Sequence, residues 1–178
     1  MASRKLTTRP YTGTSDGPSK RRRAGTDEWM RQALLRCPVL WANGSWNVRD
    51  VRGKPGVLSV HATGRAMDLS YRKLPSHPIG PNRRVALEWL KTVLANWEVL
   101  GVECVLDYFP KNHGRGWRCD RASWQKYTKP TISGAPGGDW FHIEITPAMA
   151  DDPVAVRAAW VACFGPAPTP ARPPARPR

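Results

Sequence analysis

Residues 59–68 read Ser-Val-His-Ala-Thr-Gly-Arg-Ala-Met-Asp, and this stretch predicts a strand–turn–strand element. His61 and Asp68 are seven residues apart, which is too far for one turn of a helix but suits the two ends of such an element. Gly64 lies between them and tolerates the positive φ that a tight turn requires. Small Ala66 leaves room for close packing. The stretch therefore brings an imidazole and a carboxylate towards one point of the fold.

A second segment, residues 138–145, reads Gly-Asp-Trp-Phe-His-Ile-Glu-Ile. The alternation of apolar residues with His142 and Glu144 predicts a strand that carries both polar side chains on one face. Zinc hydrolases usually hold the metal with three nitrogen or carboxylate ligands and leave a fourth position open for water. If the two segments meet, His61, Asp68 and His142 form such a set, although spacing alone leaves open whether they bind a metal.

Carboxylates next to His142 are candidates for the base that a hydrolytic water needs. Asp139 lies three residues before His142, at the start of the predicted strand, where it can sit beside a metal without binding it. Glu144 lies two residues after His142 and shares its face. It either orients an imidazole or competes with Asp139 for the role of base.

Positive charge near the site would stabilise an oxyanion or bind a substrate carboxylate. Arg49 and Arg52 precede His61 by twelve and nine residues, and either can reach the rim of the site. Arg65, inside the first segment, is expected to point outward from the turn. Ser59, at the start of that segment, is a further candidate for contact with substrate.

Tryptophan is frequent, with nine copies, and its commonest use is packing. Trp117 is expected to pack in the core or on the surface, and the alternative is that it stacks on substrate. The hydrophobic fraction of 40% favours a folded protein, and 178 residues suit one domain with a substantial core.

The net charge of +14 is concentrated near the ends of the chain. Residues 1–25 carry +6 and residues 165–178 carry +3, which leaves +5 for the middle. We therefore expect a disordered basic arm over residues 1–25, one domain over residues 26–164 and a disordered Pro/Arg-rich tail over residues 165–178. Because the excess charge lies on the ends, we do not expect the domain to bind nucleic acid.

Hydrophobic periodicity predicts an α+β domain with antiparallel strand pairing. A first helix is expected to follow the N-cap Thr26. The clearest helix spans residues 83–98, whose apolar residues keep i, i+3, i+4 spacing. Asp152 is predicted to cap a final helix with Pro153 in its first turn. Strands are predicted at residues 57–61, 66–71, 102–108 and 141–146.

No stretch reaches the roughly 20 apolar residues that a transmembrane helix needs. The basic N-terminus lacks the apolar segment of a signal peptide, so we expect synthesis in the cytoplasm. The four cysteines include no Cys-x-x-Cys pair, which argues against a cysteine-based zinc site and favours free thiols, with a disulfide as the alternative. We expect the chain to act as a monomer.

The two segments together resemble the D-alanyl-D-alanine carboxypeptidase-like zinc peptidases, which group with the lysostaphin-type enzymes and the hedgehog N-domain. The resemblance rests on the Ser-x-His-x-x-Gly-x-Ala-x-Asp pattern of residues 59–68 and the Asp-x-x-His pattern of residues 139–142. It covers roughly residues 26–150. It implies an α+β fold with a small antiparallel sheet flanked by helices.

The resemblance also implies the chemistry of the site. One Zn²⁺ per chain would be bound by His61, Asp68 and His142. Asp139 would be the catalytic base.

Within this family the chain is most similar to bacteriophage endolysins that cut the peptide part of peptidoglycan. In those proteins an Arg lies in a segment similar to residues 46–49, which favours Arg49 as the clamp on an oxyanion or carboxylate and leaves Arg52 to bind substrate. The carboxypeptidases generally have Glu where this chain has Asp139. The resemblance therefore favours an internal cut, of the L-alanyl-D-glutamate type, and D-alanyl-D-alanine carboxypeptidase activity is the alternative.

The implied substrate is the stem peptide of peptidoglycan, and the implied place of action is the bacterial cell wall during phage lysis. The basic ends would bind anionic polymers of the cell envelope. Two alternatives come from another class of function. One is a non-catalytic wall-binding protein that keeps the zinc site, and the other is a virion protein whose basic ends bind nucleic acid.

Overall fold

A six-stranded antiparallel sheet is the centre of the fold in the computed structural model, which describes residues 7–72, 83–129 and 138–168. In spatial order its strands are β1 (Trp41–Gly44), β4 (Ala66–Ser70), β8 (Trp140–Ile145), β5 (Val102–Asp107), β6 (Arg115–Arg118) and β7 (Ser123–Lys126). A separate antiparallel pair consists of β2 (Asp50–Val51) and β3 (Lys54–Leu58). The helices are α1 (Ala24–Arg36), α2 (Arg83–Ala95), α3 (Pro147–Asp151) and α4 (Pro153–Phe164), with a 3₁₀ turn at Val60–Thr63. These elements confirm the predicted α+β class.

Strands β4, β5 and β8 and helix α2 lie within three residues of their predicted bounds. The predicted strand over residues 57–61 differs, because β3 ends at Leu58 and the 3₁₀ turn follows. Asp152 caps α4 as predicted, and its Oδ1 accepts hydrogen bonds of 2.9 Å from the backbone N–H groups of Val154 and Ala155. Local patterns thus locate most of the regular elements.

Helix α1 begins at Ala24, ahead of the predicted N-cap Thr26. The N-cap is Arg23, whose side chain makes no capping hydrogen bond. The hydroxyl of Thr26 donates instead to the backbone oxygen of Gly64 over 2.7 Å. It therefore ties α1 to the end of the 3₁₀ turn, close to the predicted site.

The core lies between the sheet and the helices. The alternating apolar residues of β8 are fully buried in it: Phe141, Ile143 and Ile145. Trp29 of α1 packs edge-to-face on Trp160 of α4, with ring centroids 5.0 Å apart. His142 and Glu144, at the alternate positions of β8, are also buried. Both faces of this strand are therefore covered.

Residues 7–23, here called the N-terminal segment, pack against the domain, which corrects the prediction of a disordered arm over residues 1–25. The backbone N–H of Ser19 donates to the domain over 2.7 Å, and side chains of the segment bond to buried carboxylates of the sheet. The composition of the segment predicts solvation, but composition does not reveal these partners. Residues 1–6 lie outside the described residues, as do residues 169–178 of the predicted tail.

Arg65 is fully buried, which corrects the prediction that it points outward from the turn. Its Nη1 lies 2.9 Å from Oε2 of the buried Glu103 and donates to the backbone oxygen of Ile145 over 2.6 Å. Its Nε lies 3.1 Å from Asp16 of the N-terminal segment. A buried carboxylate needs a cation or several hydrogen bonds, and Arg65 supplies the cation for Glu103.

The four cysteines are free thiols, three of them buried, as the sequence favours. Burial raises the pKa of the Cys37 thiol to about 11, so this group stays protonated at neutral pH. No helix among residues 7–72, 83–129 and 138–168 is long and apolar enough to cross a membrane.

Replacement of Arg65 by Ala is expected to lower the free energy of unfolding by about 3–5 kcal/mol, because Glu103 and Asp16 lose their buried partner. Urea-induced unfolding followed by tryptophan fluorescence measures the loss. The matched control is Lys91→Ala, which breaks an exposed pair with Glu88 and should cost less than about 1 kcal/mol. A similar small loss for Arg65→Ala would contradict the role given to this buried pair.

Candidate metal centre

Strand pairing brings three predicted residues together. In the antiparallel pair β4–β8, Asp68 is the direct partner of His142. His61 comes from the 3₁₀ turn before β4, which ends at Gly64 with φ 73° and ψ 15°, a left-handed conformation that glycine adopts without steric cost. His61, Asp68 and His142, here called the ligand group, form a group that can hold a metal ion.

The donor atoms of the ligand group lie close to one another. Nδ1 of His142 is 3.1 Å from both Nε2 of His61 and Oδ1 of Asp68, and Nε2 of His61 is 3.3 Å from Oδ2 of Asp68. Two atoms that each bind tetrahedral zinc at about 2.0–2.1 Å lie about 3.3 Å apart. Each pair of residues therefore has donor atoms near that separation, with Oδ1 of Asp68 facing His142 and Oδ2 facing His61. One donor atom from each of the three residues lies within 4.8 Å of the other two, as a bound cation requires.

Both imidazole rings are held so that one ring nitrogen of each faces the same point. Nδ1 of His61 is 2.6 Å from the backbone oxygen of Ser45, which can only accept, so Nδ1 carries the hydrogen and Nε2 the lone pair. Nε2 of His142 is 2.9 Å from Oε1 of Glu144 and donates to it, which leaves Nδ1 for a metal. Metal-binding imidazoles are commonly oriented by such a partner behind the ring. Glu144 thus occupies the orienting position that the sequence allows for it.

Hydrogen bonds couple the charges of this group. Burial opposes ionisation of Asp68, but the hydrogen bond from His142 holds the pKa of Asp68 below its ordinary value. Burial disfavours the charged form of His142, but its hydrogen bonds to Asp68 and Glu144 raise its pKa to about 10. Burial opposes ionisation of Glu144 too, and the hydrogen bond from His142 lowers its pKa. With no metal bound, His142 is therefore protonated on both ring nitrogens at neutral pH. A metal ion would displace the proton on Nδ1.

The ligand group lines a cleft of about 690 Å³. Arg49 and Arg52, which the sequence predicts at the rim of the site, both line this cleft. Nη1 of Arg49 donates a hydrogen bond of 3.0 Å to the backbone oxygen of Asp50. Ser59 lines it as well, and its hydroxyl also accepts a hydrogen bond of 3.3 Å from the backbone N–H of His61. Further polar and aromatic lining comes from Asn43, Asn47, Tyr108 and Trp140.

Asp139 lies outside the ligand group. Its carboxylate accepts hydrogen bonds of 2.9 Å from Nε of Arg72, and Nη2 of Arg72 lies 2.8 Å away. Arg72 lines the cleft, so Asp139 is attached to one of its walls. Both side chains are partly exposed, and such pairs contribute little stability and exchange partners readily. The role of Asp139 as a base stays a prediction.

Trp117 is a core residue, which corrects the alternative that it stacks on substrate. It is 4% exposed, and its ring packs edge-to-face on Trp97 with centroids 5.3 Å apart. The tryptophan that lines the cleft is Trp140. Its position two residues before His142 on a strand places both on one face, which is a signal that the sequence already contains.

Tyr11 belongs to the site although no spacing or motif indicates it. Its hydroxyl donates to Oε2 of Glu144 over 2.6 Å, and the residue lines the cleft. Burial, with the nearby charge of Glu144, raises the pKa of Tyr11 well above its ordinary value, so the hydroxyl keeps its proton. The sequence also does not indicate that the backbone oxygen of Ser45 orients His61, because every residue type has a backbone oxygen.

A second cavity, of about 730 Å³, is lined by residues of the N-terminal segment and of α1. Two of its three arginines are paired with carboxylates: Arg22 with Asp27 over 2.7 Å, and Arg23 with Asp16 and Asp151 over 2.7 and 2.6 Å. These pairs neutralise much of its charge, and the cavity contains none of the predicted site residues. The cleft around the ligand group is therefore the candidate functional site.

Comparisons with models of protein families, with curated proteins and with solved structures find no match to this chain. The site is therefore defined by its own geometry. Three convergent donor atoms suit a cation, and the arginines of the cleft suit an anionic group on a substrate.

Replacement of Asp68 by Ala is expected to weaken zinc binding by more than about 100-fold, because one of three ligands is lost. Titration against a competing coloured chelator measures the dissociation constant, and the unaltered chain should bind one ion. The matched control is His113→Ala, which removes a histidine outside the ligand group and should leave the affinity unchanged. Equal weakening in both variants, or no binding by the unaltered chain, would contradict the site.

Zinc binding is expected to release about one proton at roughly pH 7 to 8, because the pKa of His142 is raised in the metal-free protein. Since protons and zinc compete for Nδ1, the apparent affinity should rise with pH and level off above a pKa of about 10. Calorimetric titration in buffers with different ionisation enthalpies counts the released protons. A count of zero would mean that His142 is neutral before zinc arrives.

Proposed function

We propose that this chain is a zinc-dependent peptidase. The observation that carries the proposal is the convergence of possible ligand atoms from His61, Asp68 and His142 in an open cleft. Two nitrogens and one carboxylate oxygen are a ligand set typical of catalytic zinc, whereas structural zinc is closed by four protein ligands. Magnesium and calcium prefer sets made of oxygen alone, which this group does not offer.

The proposed substrate is the stem peptide of peptidoglycan. The sequence patterns of residues 59–68 and 139–142 support it through their resemblance to the D-alanyl-D-alanine carboxypeptidase-like zinc peptidases, and an antiparallel sheet with helices is compatible with that fold. Stem peptides carry carboxylates, and the residues that line the cleft include three arginines, Arg49, Arg52 and Arg72, of which Arg72 is paired with Asp139.

The proposed cut is internal, of the L-alanyl-D-glutamate type, because Asp139 stands where the carboxypeptidases generally have Glu. Removal of a terminal D-alanine is the alternative. Either activity would act at the bacterial cell wall, as the phage endolysins do. The basic ends of the chain would then bind anionic polymers of the envelope.

When bound, zinc would lower the pKa of a water molecule and polarise the carbonyl that the water attacks. His61 and His142 are held from behind by Ser45 and Glu144, so the ligand atoms keep their positions while charge develops. Asp68 is the one charged ligand and offsets only half of the charge of a divalent ion. The site thus retains positive charge for catalysis.

Asp139 is the proposed base in preference to Glu144. Both oxygens of Glu144 already accept hydrogen bonds, from His142 and Tyr11, and its carboxylate is buried. Asp139 is partly exposed and bound to Arg72 on the wall of the cleft. In the proposed reaction Asp139 takes the proton of the attacking water and delivers it to the leaving amine.

Arg49 is proposed to stabilise the oxyanion or to hold a substrate carboxylate. Arg49 lines the cleft, and its guanidinium donates to the backbone oxygen of Asp50. No carboxylate in the part of the chain that the structure describes pairs with Arg49, so its charge is available to a ligand. Arg52 lines the same cleft and is the second proposed contact for a substrate carboxylate.

Replacement of Asp139 by Asn is expected to leave zinc binding intact and to slow peptidoglycan cleavage by about 10²- to 10⁴-fold, because an amide cannot accept the proton. The measurement is mass analysis of fragments released from peptidoglycan of known chemotype. A chelator should abolish release by the unaltered chain, and added zinc should restore it. The fragment masses identify the bond that is cut.

The control variant is Asp120→Asn, which removes an exposed carboxylate paired with Arg118 outside the cleft and should cleave at the unaltered rate. Full activity of Asp139→Asn would remove Asp139 from the mechanism. A chain that binds zinc but releases no chelator-sensitive product from any common chemotype would favour the non-catalytic binding protein instead.

A further inference from the structure

The N-terminal segment is attached to the domain at several points besides Tyr11. The hydroxyl of Thr12 donates to Oε1 of the buried Glu103 over 2.6 Å. Asp16 contacts the buried Arg65 over 3.1 Å. The backbone N–H of Ser19 bonds to the domain over 2.7 Å. These contacts hold the segment in place whether or not Tyr11 keeps its hydroxyl.

Tyr11 begins a chain of hydrogen bonds that ends at the ligand group. Its hydroxyl donates to Oε2 of Glu144 over 2.6 Å, and Oε1 of Glu144 accepts from Nε2 of His142 over 2.9 Å. The other ring nitrogen of His142, Nδ1, is the donor atom that faces His61 and Asp68. One donor on each oxygen fixes both the position and the plane of the Glu144 carboxylate.

We propose that Tyr11 is a positioning residue of the metal centre, which acts through Glu144 to fix the ring of His142 and so to hold Nδ1 on the metal. This role rests on the zinc site proposed above. Glu144 is buried, and a buried carboxylate oxygen without a donor is costly, so loss of the Tyr11 hydroxyl would release the carboxylate to seek another partner. The ring of His142 would lose its fixed orientation with it.

The ring of Tyr11 has contacts of its own, which separate packing from positioning. The guanidinium of Arg118 lies over this ring, 4.4 Å from its centroid. Phenylalanine keeps the ring and that contact and removes the hydroxyl alone. An effect of Tyr11→Phe on the metal would therefore come through Glu144.

The N-terminal segment also forms part of the wall of the cleft. Tyr11, Gly13 and Thr14 all line it. The backbone oxygen of Gly13 accepts a hydrogen bond from Arg65, so this wall is fixed to the core of the domain. A stretch whose composition predicts a disordered arm thus contributes both the wall and the support of the site.

The experiment compares zinc and cobalt binding by the full chain and by Tyr11→Phe. The zinc dissociation constant is expected to rise about 10-fold in Tyr11→Phe. Loss of a residue that hydrogen-bonds a metal ligand typically weakens metal binding by about 10- to 100-fold, and Tyr11 acts one residue further away. The visible absorption of the Co²⁺ form is expected to change, because it reports the geometry of the ligands. Thermal melting and near-ultraviolet circular dichroism check that the fold is retained.

The matched control is Thr12→Val. It removes a hydrogen bond of the same length, from the neighbouring residue, to a buried carboxylate that does not touch the ligand group. This variant should bind zinc as the unaltered chain does and give the same Co²⁺ spectrum. Equal weakening in Thr12→Val and Tyr11→Phe would make Tyr11 a structural contact only.

A double-mutant cycle with Glu144→Gln tests the route of the effect. Because Tyr11 acts through Glu144, Tyr11→Phe should change zinc affinity by less than about 2-fold in the Glu144→Gln background. A full effect in that background would overturn the route. No zinc binding by the unaltered chain would overturn the zinc site itself, whereas normal binding with an unchanged constant and spectrum in Tyr11→Phe would overturn the role of Tyr11 alone.

Discussion

The convergence of His61, Asp68 and His142, in which each pair of residues has donor atoms within 3.3 Å, is the constraint on which the rest of the structure depends. Acceptor atoms at such distances repel unless a proton or a cation lies between them. The pairing of β4 with β8 sets Asp68 opposite His142, and the 3₁₀ turn adds His61, so the convergence is built into the backbone. A shift of β8 by one residue would turn His142 to the apolar face and abolish it.

The charges behind these ligands explain why the N-terminal segment is folded. Glu103 and Glu144 are buried carboxylates, and each needs more than one donor to offset the loss of water. Each takes one partner from within the domain and one from the segment, where Thr12 and Tyr11 supply the hydroxyls. The electrostatic requirements of the sheet thus order a stretch whose composition is typical of disordered chains.

Sequence patterns predict what depends on local periodicity or on residue type at a fixed spacing. The spacing of apolar residues predicts the positions of α2, β5 and β8, and the residue type of Asp152 predicts the N-cap of α4. The two polar segments predict the ligand group. The burial of Arg65 is not predictable in this way, because arginine beside a glycine turn is usually solvated and its partners Asp16 and Glu103 lie 49 and 38 residues away. The partner of Tyr11 lies 133 residues away. Contacts at such separations follow from topology, which periodicity does not encode.

Burial divides the candidate site into two parts, a buried ligand group and an exposed pair beside the cleft. Every residue from His61 to Met67 is buried. Close packing therefore fixes the distance between His61 and Asp68. Asp139 and Arg72 are partly exposed and bound to each other beside the cleft. A metal ligand must hold one position throughout a reaction, whereas a base must meet water and a leaving group in turn. In the proposed peptidase the metal would therefore be held by the core, and the choice of bond would depend on the exposed margin of the cleft.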